Sequence, residues 1–184
     1  LTIAEMTTLI NDGAFKTAAI EKIGKNLTND SDGPIGFVNF MNNFFTGNTT
    51  FSSEVLIAAT WNKDLAYQMG RIVGDNGVWG STTGNNLPYS GWYAPAVNLH
   101  RSPFSGRNFE YYSEDPVFSG KMAVQVINGA ASKGVYTYIK HFAVNDQETD
   151  RSGIATYLTE QALRELYLKP FEIAVKGADE PCAA

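Results

Sequence analysis

"SEDPVFSGKMAVQVINGAASKGVYTYI", residues 113–139, decides the fold class, because a complete helix signal stands directly before a strand signal. Asp115 can cap the helix, and Pro116 suits its first position, where a missing N–H costs nothing. Gly134 is the predicted stop, and the β-branched and aromatic residues 135–139 predict a short parallel strand. The apolar residues at helical spacing are Met122, Val126 and Ile127. A helix that leads into a parallel strand indicates a βαβ unit.

The same alternation continues on the N-terminal side. Residues 92–99, "WYAPAVNL", predict a buried strand despite Pro95, and the preceding helix has Asn62 as its cap and Gly74 or Gly77 near its stop. The apolar face of that helix is formed by Leu65, Met69, Ile72 and Val73. Strands that alternate with helices predict an α/β fold with a parallel sheet.

A third helix is predicted within residues 156–177, on the C-terminal side, with Pro170 as a kink. Its apolar face is predicted to contain Leu158, Ala162, Leu163, Leu166 and Tyr167.

Composition narrows the function classes. The 184 residues are 43% hydrophobic with a net charge of -5 and no run of like charges, so we expect neither nucleic acid nor an anionic membrane as a partner. No stretch approaches eighteen apolar residues. The single cysteine, Cys182, excludes an internal disulfide and a cysteine-based metal cluster. Localisation stays open between cytoplasmic and secreted; Asn26 and Asn48 lie in N-x-T sequons, a pattern that is common by chance.

Three polar clusters follow predicted strands, at residues 29–34, 98–116 and 140–151. In α/β folds, ligands bind at loops that leave the carboxyl ends of parallel strands. These clusters are therefore the candidate site.

Five ordered motifs carry a family resemblance over residues 29–176: "SDGP", "ATWNKDLA", "NLHRSPFSGRNFEYYSEDP", "IKHFAVNDQETDR" and "EQALRELYLKPFE". The sequence resembles the first catalytic domain of glycoside hydrolase family 3, in its β-glucosidase branch. The N-acetylglucosaminidase branch is disfavoured, because its second histidine after "KHF" is replaced here by Asn145.

The resemblance implies that Asp32, Arg107, Lys140 and His141 bind one sugar ring through charged hydrogen bonds. Three of these residues have a simpler alternative. Asp32 would only shape a turn, Arg107 would pair with Glu110 or Glu114, and His141 would be a satisfied core histidine. His100 and Arg101 are interpreted as loop scaffolding, and Glu148 and Arg151 are assigned to the rim of the same site.

Lys140 and His141 raise a geometric difficulty, because consecutive strand residues point to opposite faces. We therefore expect a distorted strand end, with a non-proline cis peptide near Lys140 as the candidate distortion. A second departure is "IGFVNFMNN" after the aspartate motif, where many family members carry an arginine. Phe37, Phe40 and Phe44 are expected to form core there, or else a stacking wall.

The family uses retaining hydrolysis by two carboxylates, with no cofactor or metal. Its nucleophile and its acid/base residue would lie beyond Ala184, so Asp146, Glu148 and Asp150 are not assigned as catalytic. We accordingly expect residues 1–184 to be an incomplete N-terminal (β/α)8 TIM-barrel domain, lacking the later strands and a C-terminal domain, marginally stable or self-associating and inactive alone. The expected ligand is a β-linked glucoside or short oligosaccharide. The alternative is a non-enzymatic sugar-binding α/β domain; an unrelated α/β barrel enzyme would leave the ordered motifs unexplained.

Overall fold

A computed structural model describes residues 1–11, 15–38, 48–79, 89–179 and 182–183. Its five-stranded sheet follows the order of the chain, β1-β2-β3-β4-β5. The first pair is antiparallel, and every later pair is parallel. The strands are β1 (Lys16–Thr17), β2 (Thr28–Asp32), β3 (Gly91–Tyr93), β4 (Tyr136–Tyr138) and β5 (Cys182–Ala183). The predicted α/β class is confirmed, with the addition of one antiparallel strand.

Helices separate the parallel strands. They are α1 (Ile3–Asn11), α2 (Glu54–Ala59), α3 (Lys63–Trp79), α4 (Pro116–Ala131), α5 (Glu160–Ala162) and α6 (Lys169–Gly177), with 3-10 turns at Glu21–Ile23 and Asn108–Glu110 and a π turn at Leu163–Tyr167. Helix α4 packs between α3 and α6, so these three form one layer. No helix in the described ranges is long and apolar enough to cross a membrane.

The two faces of the sheet differ in chemistry. Ser31, Trp92 and Thr137 are neighbours in register, fully buried, and on one face. Trp92 belongs to the same apolar core cluster as Met69 and Val126 of α3 and α4, so this face meets the helices. Asp30 and Asp32 of β2 point to the opposite face, because alternate residues of a strand share a face.

Several predicted details of the helices are confirmed. The Asp115 carboxylate accepts from the backbone N–H of Val117 and Phe118, and Pro116 is the first residue of α4. That helix ends before Gly134, whose φ is 84°. The Asn62 side chain likewise accepts from the backbone N–H of Leu65 at the start of α3.

The predicted stop of α3 is confirmed near Gly77, since the helix ends at Trp79, whereas Gly74 lies inside it. Both glycines admit close neighbours: an added Cβ would meet Lys133 Cβ and Val135 Cγ2, each at 2.8 Å. The third predicted helix is interrupted. Leu158 lies before the first turn, residues 163–167 form the π turn, and Pro170 lies in the first turn of a separate helix, α6.

Candidate functional site

Asp32 is the last residue of β2, and the chain turns directly after it. Gly33 has a φ of 121°, and its backbone N–H donates to Asp32 Oδ1 over 2.8 Å. A Cβ at Gly33 would meet the backbone nitrogen of Val38 at 2.8 Å, so glycine is required there. Asp32 therefore shapes the turn through Oδ1, and its second carboxylate oxygen takes no part in that contact.

Lys140 and His141 lie on irregular backbone two residues after β4. The backbone N–H of Lys140 donates to Pro95 O at 3.0 Å, and its carbonyl accepts from Val97 N–H at 2.7 Å. The Lys140–His141 peptide is cis, and so is Phe142–Ala143. The expected distortion is confirmed at the predicted bond.

A chain of opposite charges joins the three post-strand segments. Lys140 Nζ donates to Asp32 Oδ1 over 2.6 Å and lies 3.5 Å from Glu110 Oε2. The other oxygen of Glu110 accepts from Arg107 Nε. Glu110 is only 2% exposed, so it holds both cations from the buried side. The prediction of a structural carboxylate for Arg107 is confirmed for Glu110; Glu114 is exposed and does not pair with it.

His141 is placed by Arg107 and Asn98. Its Nε2 lies 2.6 Å from Arg107 Nη2, and its Nδ1 lies 3.3 Å from Asn98 Oδ1. Since a guanidinium can only donate, Nε2 accepts and the ring proton belongs on Nδ1. Burial first, then the charges of Arg107 and Lys140, lowers the pKa of His141 to about 3. The ring is therefore a neutral group at physiological pH.

Asn98 fixes this histidine at the backbone as well. Its side-chain oxygen accepts from His141 N–H at 2.6 Å, and its amide donates to His141 O at 3.0 Å. Asn98 was not predicted, although it opens the 98–116 motif. The available signal was its position near the end of the predicted buried strand 92–99.

A pocket of about 330 Å³ opens over this network. Such a volume falls within the range of small-ligand sites. Asp32, Arg107 and Lys140 line it directly, whereas His141 is not among the lining residues and contacts Arg107. The complete lining is Asp32, Gly33, Pro34, Ile35, Val38, Arg107, Phe109, Glu110 and Lys140.

Glu54 is a further carboxyl group near the network that the sequence did not indicate. It is fully buried on α2, where Oε1 accepts from Ala96 N–H at 3.4 Å and Oε2 has no partner among the described residues. Burial, and secondly the charge of Glu110, raises the pKa of Glu54 well above its usual value. Both effects disfavour a second buried charge beside Glu110.

The other polar side chains of these segments form contacts within the protein. Glu148 accepts from Arg107 Nη1 at 3.3 Å and from Arg151 Nη1 at 3.2 Å. His100 Nε2 contacts the carbonyls of Asn108 and Tyr111, as expected of scaffolding. Asp146 is half-buried, which raises its pKa.

Phe37 is buried in the core, 5.0 Å from the Tyr89 ring, while Phe40 and Phe44 lie outside the described residues. Among the described residues, no three His, Cys, Asp or Glu side chains are grouped as metal ligands.

Comparison with known proteins gives the family. Residues 19–180 match the glycosyl hydrolase family 3 N terminal domain. β-Glucosidase A of Butyrivibrio fibrisolvens is 40% identical over 162 residues, which cover 88% of this chain and 19% of that protein. β-Glucosidase B of Emericella nidulans is 41% identical over 183 residues, covering 97% and 20%.

Solved structures agree. β-Glucosidase 3B of Thermotoga neapolitana, in complex with α-D-glucose, superposes with a TM-score of 0.77 at 40% identity, covering 89% of this chain and 22% of that one. The Kluyveromyces marxianus β-glucosidase complex with glucose gives a TM-score of 0.87 at 32% identity, covering 100% and 21%. This chain thus spans about a fifth of the length of the relatives it matches. The resemblance found in its motifs is confirmed, and the chain belongs to glycosyl hydrolase family 3.

Proposed function

We propose that this chain forms the sugar-binding subsite of a retaining β-glucosidase, and that the chemistry depends on carboxylates outside residues 1–184. The observation that carries the proposal is the charge network in which Asp32, Lys140, Glu110 and Arg107 surround one pocket.

The network has the composition that a pyranose ring requires. Neighbouring hydroxyls on a sugar both donate and accept, so they need a carboxylate and cations held at fixed positions. Asp32 would accept from hydroxyl groups, while Lys140 and Arg107 would donate to hydroxyl oxygens. Because Glu110 is buried behind both cations, their geometry is set before a ligand arrives, and this lowers the entropy cost of binding.

The parallel order β2-β3-β4-β5 with one helix layer supports a scaffold that is the first part of a (β/α)8 barrel. The ligand would then lie at the carboxyl ends of the strands, as in barrel enzymes. A complete barrel takes about 250 residues, so later strands and any C-terminal domain would belong to the rest of the protein.

Retaining hydrolysis requires a nucleophilic carboxylate and an acid/base carboxyl about 5 Å apart. The carboxylates that line the pocket are both engaged by cations, Asp32 by Lys140 and Glu110 by Arg107. These two carboxylates would bind and orient the sugar ring, so that a nucleophile from another part of the protein can attack the anomeric carbon.

The test uses the full-length protein that carries this chain, with an aryl β-glucoside as substrate. D32N should lower kcat/KM by about 10- to 100-fold, because a charged hydrogen bond to the ring is lost. The matched control is D64N, since Asp64 is exposed on α3, away from the pocket. Equal activity of D32N and wild type would contradict the proposal. Glucose binding that D32N weakens, without any turnover by the wild type, would favour a non-enzymatic sugar-binding protein.

A further inference from the structure

A second pocket, of about 400 Å³, lies between α2 and the start of α4. It shares no lining residue with the pocket at Asp32. Aromatic side chains form one part of its wall, and polar side chains form another. The aromatic residues are Trp61, Tyr112 and Phe118, and the polar ones include His100, Glu114 and Asp115.

Trp61 has an unusual backbone for its residue type. It follows the last turn of α2 with a φ of 55°, in the left-handed region where glycine or asparagine is the usual choice. The side chain is 77% exposed, so burial does little to offset this conformation. Such outliers concentrate at ligand sites, which makes the tryptophan a candidate contact.

The indole is braced on one side. The Trp61 and Phe118 rings lie 4.6 Å apart at 37°, and Phe118 packs against the core. One face of Trp61 is thus supported by a fixed neighbour. A large, oriented aromatic surface remains at the mouth of the pocket, where an apolar ligand face can stack on it.

The polar part of the wall supplies hydrogen-bond acceptors. His100 Nε2 contacts two carbonyl oxygens, so it bears a hydrogen, and in the corresponding tautomer Nδ1 is left as an acceptor. Asp115 Oδ1 is used to cap α4, but Oδ2 forms no hydrogen bond with any described residue. The Glu114 carboxylate has no described partner either, and it is exposed.

These features select a chemical class. No lysine or arginine is among the residues that line the pocket, so an anionic ligand has no counter-charge. Acceptors beside an aromatic face suit a ring with hydroxyl donors at its edge and C–H groups on its face. A neutral pyranose has both, and its C–H hydrogens meet the negative face of the indole.

We propose that this pocket is a second carbohydrate site, which holds a glucosyl unit of a β-glucan chain away from the subsite at Asp32. The choice of glucosyl unit rests on the proposed function. Anchoring of a polymer there raises its local concentration near the first pocket, without adding a contact to the reacting ring.

The experiment measures retardation of the full-length protein by a soluble mixed-linkage β-glucan in affinity gel electrophoresis. The test variant is W61G, because glycine adopts this φ without strain and the fold is kept. The dissociation constant should rise about tenfold, the change that about 1.4 kcal/mol of lost stacking produces. The matched control is W79A, since Trp79 is 85% exposed on α3 and lines neither pocket.

A second measurement, turnover of an aryl β-glucoside, distinguishes the effects of variants at the two sites. W61G should leave kcat/KM for this small substrate unchanged, whereas D32N should lower it and keep the retardation. Two results would overturn the second site. In one, D32N abolishes the retardation and W61G does not; in the other, W61G and W79A weaken it equally. Absence of aryl glucoside turnover in the wild type would contradict the proposed function alone, because the W61G retardation result still decides this inference.

Discussion

Glu110 connects the parts of the site that come from different strands. Its carboxylate faces Arg107 from the same segment and Lys140 from the next, and it is almost fully buried. Removing either partner of a buried ion pair is destabilising, because the charge that remains is buried and unpaired. Burial and the charge of Glu110 raise the pKa of the neighbouring Glu54, which disfavours a second charge in this interior.

We expect E110Q to lower the free energy of unfolding by about 3 kcal/mol, the typical effect of removing one partner of a buried ion pair. It should also weaken glucose binding, since Lys140 and Arg107 lose the group that aims them. Urea denaturation and calorimetric titration with glucose measure the two effects. E114Q is the control for the stability measurement, because Glu114 is exposed in the same segment. Equal stability of E110Q and E114Q would contradict the buried-charge interpretation.

His141 gives a pH dependence whose sign follows from its pKa. The pKa is lowered to about 3 in the folded protein, against an ordinary value of 6.5, so below pH 6.5 the unfolded chain binds a proton that the folded one does not. His141 therefore makes the protein less stable as the pH falls from 6.5 towards 3. The excess stability of wild type over H141Q should shrink between pH 7.5 and 4.5 in urea denaturation. A difference that stays constant with pH would show that the ring is not held neutral.

The sequence identified the side chains that line the site better than those that support them. Asp32, Arg107 and Lys140 lie in recognisable motifs and meet at one pocket. Asn98 and Glu54 were missed, because their parts depend on the close approach of His141 and Ala96 from distant segments. Sugar binding by the side chains that line the pocket remains a prediction, which the D32N experiment tests.

At the scale of elements, helices α3 and α4 cross at glycines. A Cβ on Gly129 would collide with the carbonyl oxygen of Tyr67 and lie 2.7 Å from Arg71 N. Gly70, on the facing helix, would likewise collide with Val126 O. The two backbones therefore touch, and neither can yield without moving a whole helix.

We expect G129A to lower the free energy of unfolding by more than about 2 kcal/mol, because over-packing at a backbone contact forces the helices apart. G153A is the matched control, since the nearest atom to its added Cβ is 4.0 Å away. Thermal unfolding of the two variants measures the difference. Similar melting temperatures would mean that the helices separate easily at this crossing.

The elements predicted with a cap and a stop were the ones confirmed, such as α4 between Asp115 and Gly134. The helix predicted over residues 156–177 begins only at Glu160 and breaks at Leu168, beside the predicted kink at Pro170. Periodicity does not reveal the π turn at 163–167. Gly74, the other candidate for the stop of α3, lies inside that helix. A glycine that ends a helix and one that admits a neighbouring side chain have the same letter, and only packing distinguishes them.

At the scale of the whole molecule, the two faces of the sheet have different surroundings. The core lies on the helix side, around Trp92. On the other face, the Asp30 carboxylate accepts from Tyr136 Oη at 2.6 Å and Tyr138 Oη at 3.1 Å, and the Tyr93 ring stacks on Tyr138 at 4.4 Å. These tyrosines are half-buried in the described structure. In the proposed barrel, this face would point inward and further strands would cover it.

The isolated 184-residue chain should therefore bind sugar weakly, show no turnover of an aryl β-glucoside and self-associate. The carboxylates of the pocket are engaged by cations, and β5 pairs only with β4 among the described strands, so its other edge is open to another chain. Sedimentation over a range of concentrations and a turnover assay measure these properties, with the full-length protein as the active control. A monomeric, stable and catalytically active 184-residue chain would contradict both the partial barrel and the assignment of the catalytic carboxylates to other parts of the protein.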